Sequence, residues 1–268
     1  MLKRTLTAMV LLPLVVSAIL VFPRIWFFAL IQAILLAALV EFYNLPRRKK
    51  MFPKKGLGIL LALIFAATFY FPTFSIAAAL IFGITLCAFY YVLTVTKLEK
   101  LAFFPASAAL TYFGAIYLSF TLNHIIWLRD QFAPILILYL FAVIFIGDTG
   151  AMLVGRLLGK HKMTPMASPN KTWEGSVGGL VTGAAGGLAF QQLFFPGDAV
   201  IWKVVVFALV LQMVAQVSDP FESLFKRASG VKDSSNLLPG HGGFLDRVDS
   251  LILAIPVFYY LLKYIGML

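Results

Sequence analysis

Between Asp219 and Asp249 the chain gathers five carboxylates (Asp219, Glu222, Asp233, Asp246 and Asp249), four cations (Lys226, Arg227, Lys232 and Arg247) and one imidazole, His241. Asp219 and Glu222 are three residues apart, as are Asp246 and Asp249, so a helix would place each pair on one face. Two such pairs meeting would make an oxygen-rich pocket for a hard divalent cation, and Mg²⁺ takes one or two carboxylates together with phosphate oxygens. The cations supply charge for phosphates, arginine by binding two oxygens at once. Gly242 and Gly243 let backbone approach a ligand closely.

Two further clusters lie upstream. Asp148, in Gly147-Asp148-Thr149-Gly150, follows an apolar run directly, where a carboxylate is costly unless a cation or metal pairs with it. The stretch Ser168-Pro169-Asn170-Lys171-Thr172-Trp173-Glu174-Gly175 predicts a helix with Ser168 as N-cap and Pro169 in its first turn. The start of such a helix is an anion site, and Lys171 strengthens it. Soluble nucleotide motifs are absent: Gly155 to His161 has one residue too few between its glycines for a P-loop. With no Cys/His metal spacing either, His241 reads as a hydrogen-bonding or orienting group.

The elements that must position these residues are membrane spans. The chain is 61% hydrophobic and 12% charged, against about 25% charged in soluble domains. Apolar runs predict roughly nine spans of the length that crosses a bilayer: about 5–22, 25–42, 57–72, 74–93, 101–120, 133–147, 175–195, 201–217 and 250–266. The expected fold is therefore all-α and polytopic, with a polar active site at the cytoplasmic face. It divides into an N-terminal part, 1–132, of about five spans, and a catalytic part, 133–268, with cytoplasmic loops at 148–174 and 218–249. Lys3 and Arg4 followed by an apolar stretch and Val16-Ser17-Ala18 resemble a signal peptide, but the apolar run continues to Phe22, so a retained first span is expected.

With the N-terminus cytoplasmic, 18 of the 22 Lys and Arg fall on the cytoplasmic side, leaving Arg24, Arg129, Lys203 and Lys263 on the other. That is the positive-inside pattern, and it accounts for Arg47 to Lys50 with Lys54 and Lys55. It also explains the net charge of +11 without nucleic acid as a partner. Gly175, Gly179, Gly183 and Gly187 form a bare stripe for close helix packing, within the chain or across a homodimer. The lone cysteine, Cys87, reads as a small buried hydrophobe.

The spacing of Ser223, Lys226-Arg227, Lys232-Asp233, Pro239, His241-Gly242-Gly243, Asp246-Arg247 and Asp249 resembles the signature of the phosphatidate cytidylyltransferases (CDP-diacylglycerol synthases), with twelve fixed positions over 27 residues. The stretches 148–150 and 168–175 resemble the family too. Where relatives often read G-D-L-x-E-S, this chain has Ser218-Asp219-Pro220-Phe221-Glu222-Ser223: the acids are kept, but a proline stands for leucine. The resemblance implies transfer of CMP from CTP to phosphatidic acid at the membrane surface, giving CDP-diacylglycerol and pyrophosphate. It implies Mg²⁺ held by Asp219 and Asp246, with Asp249, Glu222 or Asp148 completing the shell, and such an acidic pocket has room for a monovalent cation beside it. Lys171, with Ser168 and Asn170, would bind phosphate. Lys226, Arg227, Lys232 and Arg247 would clamp CTP or the lipid headgroup. Ser223 and Asp233 fall at signature positions beside them, and His241 with Gly242 and Gly243 would shape the loop over the nucleotide. A bacterial source would place the protein in the plasma membrane. The competing expectations are a CTP-dependent polyprenol kinase and a secondary transporter; a transporter's polar residues belong near the midplane in both halves of the chain.

Overall fold

The computed structural model describes residues 13–46, 52–194, 200–235, 237 and 242–266. A first helical stretch, α1, occupies 13–20 of these. Then follow α2 (Arg24–Asn44), α3 (Lys55–Tyr70), α4 (Ile76–Thr94), α5 (Leu98–Gln131), α6 (Ile135–Leu158), β1 (Lys162–Thr164), β2 (Ser168–Thr172), α7 (Trp173–Phe194), α8 (Ile201–Ala228) and α9 (Leu245–Ile265). Helices α2, α4, α5, α6, α8 and α9 are long and apolar enough to cross a membrane. α3, at 16 residues, is a shorter apolar helix. Much of the first expected span and the basic cluster 47–50 lie outside the described residues.

Apolar side chains face outward, as lipid requires. α4 buries Ala79, Gly83, Cys87 and Tyr91, one residue per turn. Its Ile81, Phe82, Ile84, Phe89, Val92 and Leu93 are exposed. An apolar face of that extent on a soluble protein would drive aggregation; in a bilayer it meets acyl chains.

The chain forms two compact units, each drawn from separate stretches of sequence. The first contains residues 22–126 and 228–247. Polar contacts tie its helices internally: Tyr43 Oη donates to the Thr111 carbonyl at 2.6 Å, Gln32 Nε2 to Asn123 Oδ1 at 2.7 Å, and Ser119 Oγ to the Ala62 carbonyl at 2.8 Å. Hydrogen bonds of this kind help membrane helices associate where no hydrophobic drive exists between them.

The second unit contains residues 13–21, 127–227 and 248–266 among those described. Here α7 lies against α6 along the glycine stripe. A Cβ on Gly175 would come within 3.0 Å of the Gly155 Cα, and one on Gly179 within 3.0 Å of the Gly147 carbonyl. The stripe therefore receives a helix of the same chain, and it supplies no argument for a homodimer.

Three local expectations are corrected. α6 does not end at residue 147 but runs to Leu158, carrying Asp148 in its body. α8 runs to Ala228 through Pro220, so Asp219 and Glu222 are helical rather than loop residues. Proline costs one i→i−4 hydrogen bond, and the rest of the helix carries on around it. No helix starts at Ser168: residues 168–172 pair antiparallel with 162–164, and Thr172, not Ser168, caps α7, its Oγ1 accepting from Gly175 N at 3.1 Å.

Candidate active site

Within the second unit, α6, the β1–β2 hairpin, the start of α7 and the end of α8 enclose a cavity of about 640 Å³. That volume suits a nucleotide-sized ligand. α6 contributes Asp148, Ala151, Met152, Gly155 and Arg156, the i, i+3, i+4, i+7, i+8 face of one continuous helix, and Gly159 follows just after its end. The hairpin contributes Lys162, Asn170 and Lys171, α7 gives Gly175 and Ser176, and α8 gives Gln216 and Asp219. Three cations and two carboxylates thus line one space.

The carboxylates are held rather than loose. Lys171 Nζ lies 2.7 Å from Asp219 Oδ2, with both side chains partly open to solvent. Ser223 Oγ donates to Asp219 Oδ1 at 3.3 Å. Gln212, fully buried on α8, donates from Nε2 to Asp148 Oδ1 at 3.2 Å. Gln216 Nε2 donates to the Ser176 carbonyl at 3.0 Å, and the Ser176 hydroxyl donates to Gln216 Oε1. The hairpin is fastened by Glu174, which accepts from Lys160 N at 3.1 Å and His161 N at 3.2 Å and meets His161 Nδ1 at 2.6 Å. The contact with the His161 ring, followed by those backbone donors, holds the Glu174 carboxyl down at about 2.

Deeper on α8, Lys226 Nζ lies 2.5 Å from Glu222 Oε2 with both residues buried. Arg227 is exposed and donates from Nε to the Ala167 carbonyl at 3.2 Å. Asp249, on α9, shares an electrostatic neighbourhood with Asp219, Glu222 and Lys226. Its carbonyl accepts from the Ser218 hydroxyl.

The remaining expected residues belong to the first unit. Lys232 and Asp233 are exposed. Asp246 Oδ2 accepts from Ser234 N at 2.9 Å, Ser234 Oγ at 2.8 Å and Gly243 N at 2.9 Å. Gly242 has a φ of +78°, a backbone open to glycine and strained for other residues. Arg247 is exposed on the first turn of α9, and His241 lies outside the described residues.

Could these residues hold a divalent cation? Among the described residues no three His, Cys, Asp or Glu side chains are gathered as a closed metal site. Mg²⁺ does not need one, because it is usually held by one or two carboxylates plus substrate phosphates and water. Asp148 and Asp219 line the same cavity, and beside Asp148 the buried Gln212 Oε1 has no hydrogen-bond partner among the described residues. Two carboxylates that face one cavity fit such an ion.

The profile of the cytidylyltransferase family matches residues 2–265. The chain belongs to that family. Its curated relatives include the phosphatidate cytidylyltransferase of Staphylococcus saprophyticus, 39% identical over 65% of this chain and 66% of the relative. The phosphatidate cytidylyltransferase of Haemophilus influenzae is 45% identical over 47% of the chain and 44% of the relative. That of Brucella suis is 44% identical over 63% and 60%. The chain thus spans less than two thirds of the length of the curated relatives it matches.

The structure also brings forward residues that spacing alone did not single out. Arg156 sits two turns beyond Asp148, and placing the end of α6 at residue 147 hid that register. Lys162 joins Lys171 across a hairpin that was not expected. Gln212 and Gln216, polar and four apart in an otherwise apolar span, were a visible signal. So was Glu41, an acid near the end of the second expected span, buried in the structure.

Proposed function

We propose that this cytidylyltransferase transfers CMP from CTP to phosphatidic acid, releasing pyrophosphate and forming CDP-diacylglycerol. The observation that carries the reading is the cavity that brings Arg156, Lys162 and Lys171 together with Asp148 and Asp219 on membrane-length helices. A soluble triphosphate and a bilayer-bound phosphate can meet only where a charged cavity opens beside such helices.

The lipid phosphate is largely ionised near neutral pH, since the second pKa of a phosphomonoester is ~6. It needs no strong base. One of its oxygens attacks the α-phosphorus of CTP, and the bond from that phosphorus to the oxygen bridging it to the β-phosphorus breaks. The electron pair leaves on pyrophosphate. Lys171, Arg156 and Lys162 offset the charge of the triphosphate and of the departing pyrophosphate. Lys171, now on Asp219, is placed to exchange that partner for a phosphate oxygen. Positioning and charge stabilisation of this kind do most of the work in phosphoryl transfer. Gln212 and Gln216 fix the α6 and α7 walls.

A divalent cation, Mg²⁺ by the oxygen-rich donor set, would be held by Asp219 and Asp148, with Asp249 and Glu222 adding negative charge nearby. When bound it neutralises phosphate charge and aligns phosphate oxygens. The resemblance adds Asp246 to that ligand set, and it assigns Ser168, Ser223, Arg227, Lys232, Asp233 and Arg247 to substrate. The basic residues on one side of the expected spans support a cytoplasmic N-terminus and a cytoplasmic site. The bacterial relatives support a plasma membrane.

The test uses purified protein in lipid micelles with phosphatidic acid, Mg²⁺ and CTP labelled at the α-phosphate. Label entering the lipid, dependent on phosphatidic acid, is the expected result. Label entering lipid from the γ-phosphate instead would make the protein a lipid kinase and overturn the reading.

A further inference from the structure

We infer that Glu41, far from the signature in sequence, is a positioning residue for it: its buried carboxylate ties Ser234 and Ser235 to the start of α9 so that Asp246 and Arg247 are presented to substrate. The inference rests on the reading above, that the signature residues act on CTP and lipid phosphate.

Glu41 lies in the last turn of α2 and is 5% exposed. Oε1 accepts from Ser235 Oγ at 2.7 Å and from Phe244 N at 3.1 Å. Oε2 lies 2.9 Å from Ser234 Oγ and accepts from Leu245 N at 2.9 Å. One side chain therefore joins Ser234 and Ser235 to the backbone where α9 begins. Phe244 N and Leu245 N are helix-start donors with no partner inside α9, and a carboxylate there also gains from the helix dipole.

A buried carboxylate is costly unless its oxygens are satisfied, and here charged acceptors meet three donors, Ser235 Oγ, Phe244 N and Leu245 N, with the Ser234 hydroxyl shared between Glu41 and Asp246. Room is made for it by Gly243, where a Cβ would collide with Glu41 Oε2 and Ser234 Oγ. Asp246 completes the clasp from the other side through Ser234 and Gly243 N. The charge type matters as much as the contact. Glutamine has the same shape but one acceptor oxygen, so its amide N–H₂ would face the N–H of Leu245 or Phe244. Glu41→Gln is thus a change of acceptors without a change of volume.

The experiment compares wild type, Glu41→Gln and Glu41→Asp by α-phosphate label transfer and by hydrogen exchange of peptides covering 228–250. Glu99→Gln, an exposed acid on the first turn of α5, is the control. A misplacement of ~1 Å costs on the order of a hundredfold in rate. Glu41→Gln should accordingly lower kcat/KM by about 10- to 100-fold and speed exchange in 228–250, with exchange elsewhere unchanged, and Glu41→Asp should recover part of both. Wild-type kcat/KM in Glu41→Gln overturns the inference, whether or not exchange rises, because the contact would then be structural only. If wild type itself transfers no label, the activity reading has failed, and unchanged exchange in Glu41→Gln would overturn the clasp as well, whereas faster exchange would uphold it. Should Glu41→Gln not accumulate folded, Ser235→Ala removes one donor to the same carboxylate and should give a smaller change in the same direction.

Discussion

The cavity of the second unit and the 228–247 segment of the first use the same residue types in opposite ways. In the cavity, Asp148 and Asp219 are answered by side chains that can let go, an amide from Gln212 and an ammonium from Lys171. In the segment, Glu41 and Asp246 are answered by backbone N–H groups and serine hydroxyls that belong to the fold. A carboxylate held by an exchangeable partner is poised for a ligand. One whose acceptors are taken by main-chain donors is building a shape. Sequence spacing marks both as acidic residues near a membrane; only the partners separate them.

The sharpest way to break this comparison is to neutralise one acid from each region. Asp219→Asn should lower cytidylyl transfer by about 10²- to 10³-fold, the cost of losing a placed charge at a phosphoryl site, without altering hydrogen exchange anywhere in the protein. Asp246→Asn should also lower transfer, but with faster exchange in 228–250, because a neutral amide oxygen accepts more weakly from Ser234 N, Ser234 Oγ and Gly243 N than the carboxylate oxygen does. Two variants with the same exchange pattern would dissolve the distinction.

Next in size is the Glu222–Lys226 pair, which is buried on both sides. Glu222→Gln removes the carboxylate that meets the Lys226 ammonium, and breaking a buried pair in this way costs about 3–5 kcal/mol. A fall in thermal midpoint in micelles larger than that of Asp219→Asn would check it. Thr172→Ala tests the hairpin wall: losing the α7 cap should cost about 1 kcal/mol, visible as a small drop in midpoint and faster exchange at the start of α7.

The smallest effect concerns Glu174. Its folded carboxyl is held below the ordinary range, at about 2, so the protein binds fewer protons there than the unfolded chain does. The stabilisation is therefore complete above the ordinary glutamate value and fades as the pH falls toward 2. The group is partly exposed and the effect screened. Protection of the Lys160 and His161 amides should persist at pH 5 and weaken below pH 4, and Glu174→Gln should lose that dependence.

Much of the architecture was legible. α2, α3, α4 and α9 lie where their apolar runs lie, because in lipid a helix is the only open-chain solution for backbone polar groups. What misled was polarity at helix ends. Hydropathy stops at Asp148 and Asp219, yet α6 and α8 continue about three further turns with one polar face toward a cavity. Ser168 followed by Pro169 carries a cap's local signal, but Thr172 is the cap because 168–172 pairs with 162–164. In the site, Lys171 with Asp219 was legible as chemistry but not as a pair, and Arg156 was hidden by the early end given to α6. Glu41 stood alone in an apolar span, and its partners are some two hundred residues away in the chain. No local pattern carries that information.

The claim on which all of this rests is that the cavity of the second unit receives the triphosphate. Equilibrium binding of CTP with Mg²⁺ in lipid micelles, measured for wild type and Lys171→Ala, tests it most directly. Loss of one charged hydrogen-bonding partner should weaken Kd by roughly tenfold or more, while Glu99→Gln binds as wild type does. Unchanged CTP binding in folded Lys171→Ala would contradict the account.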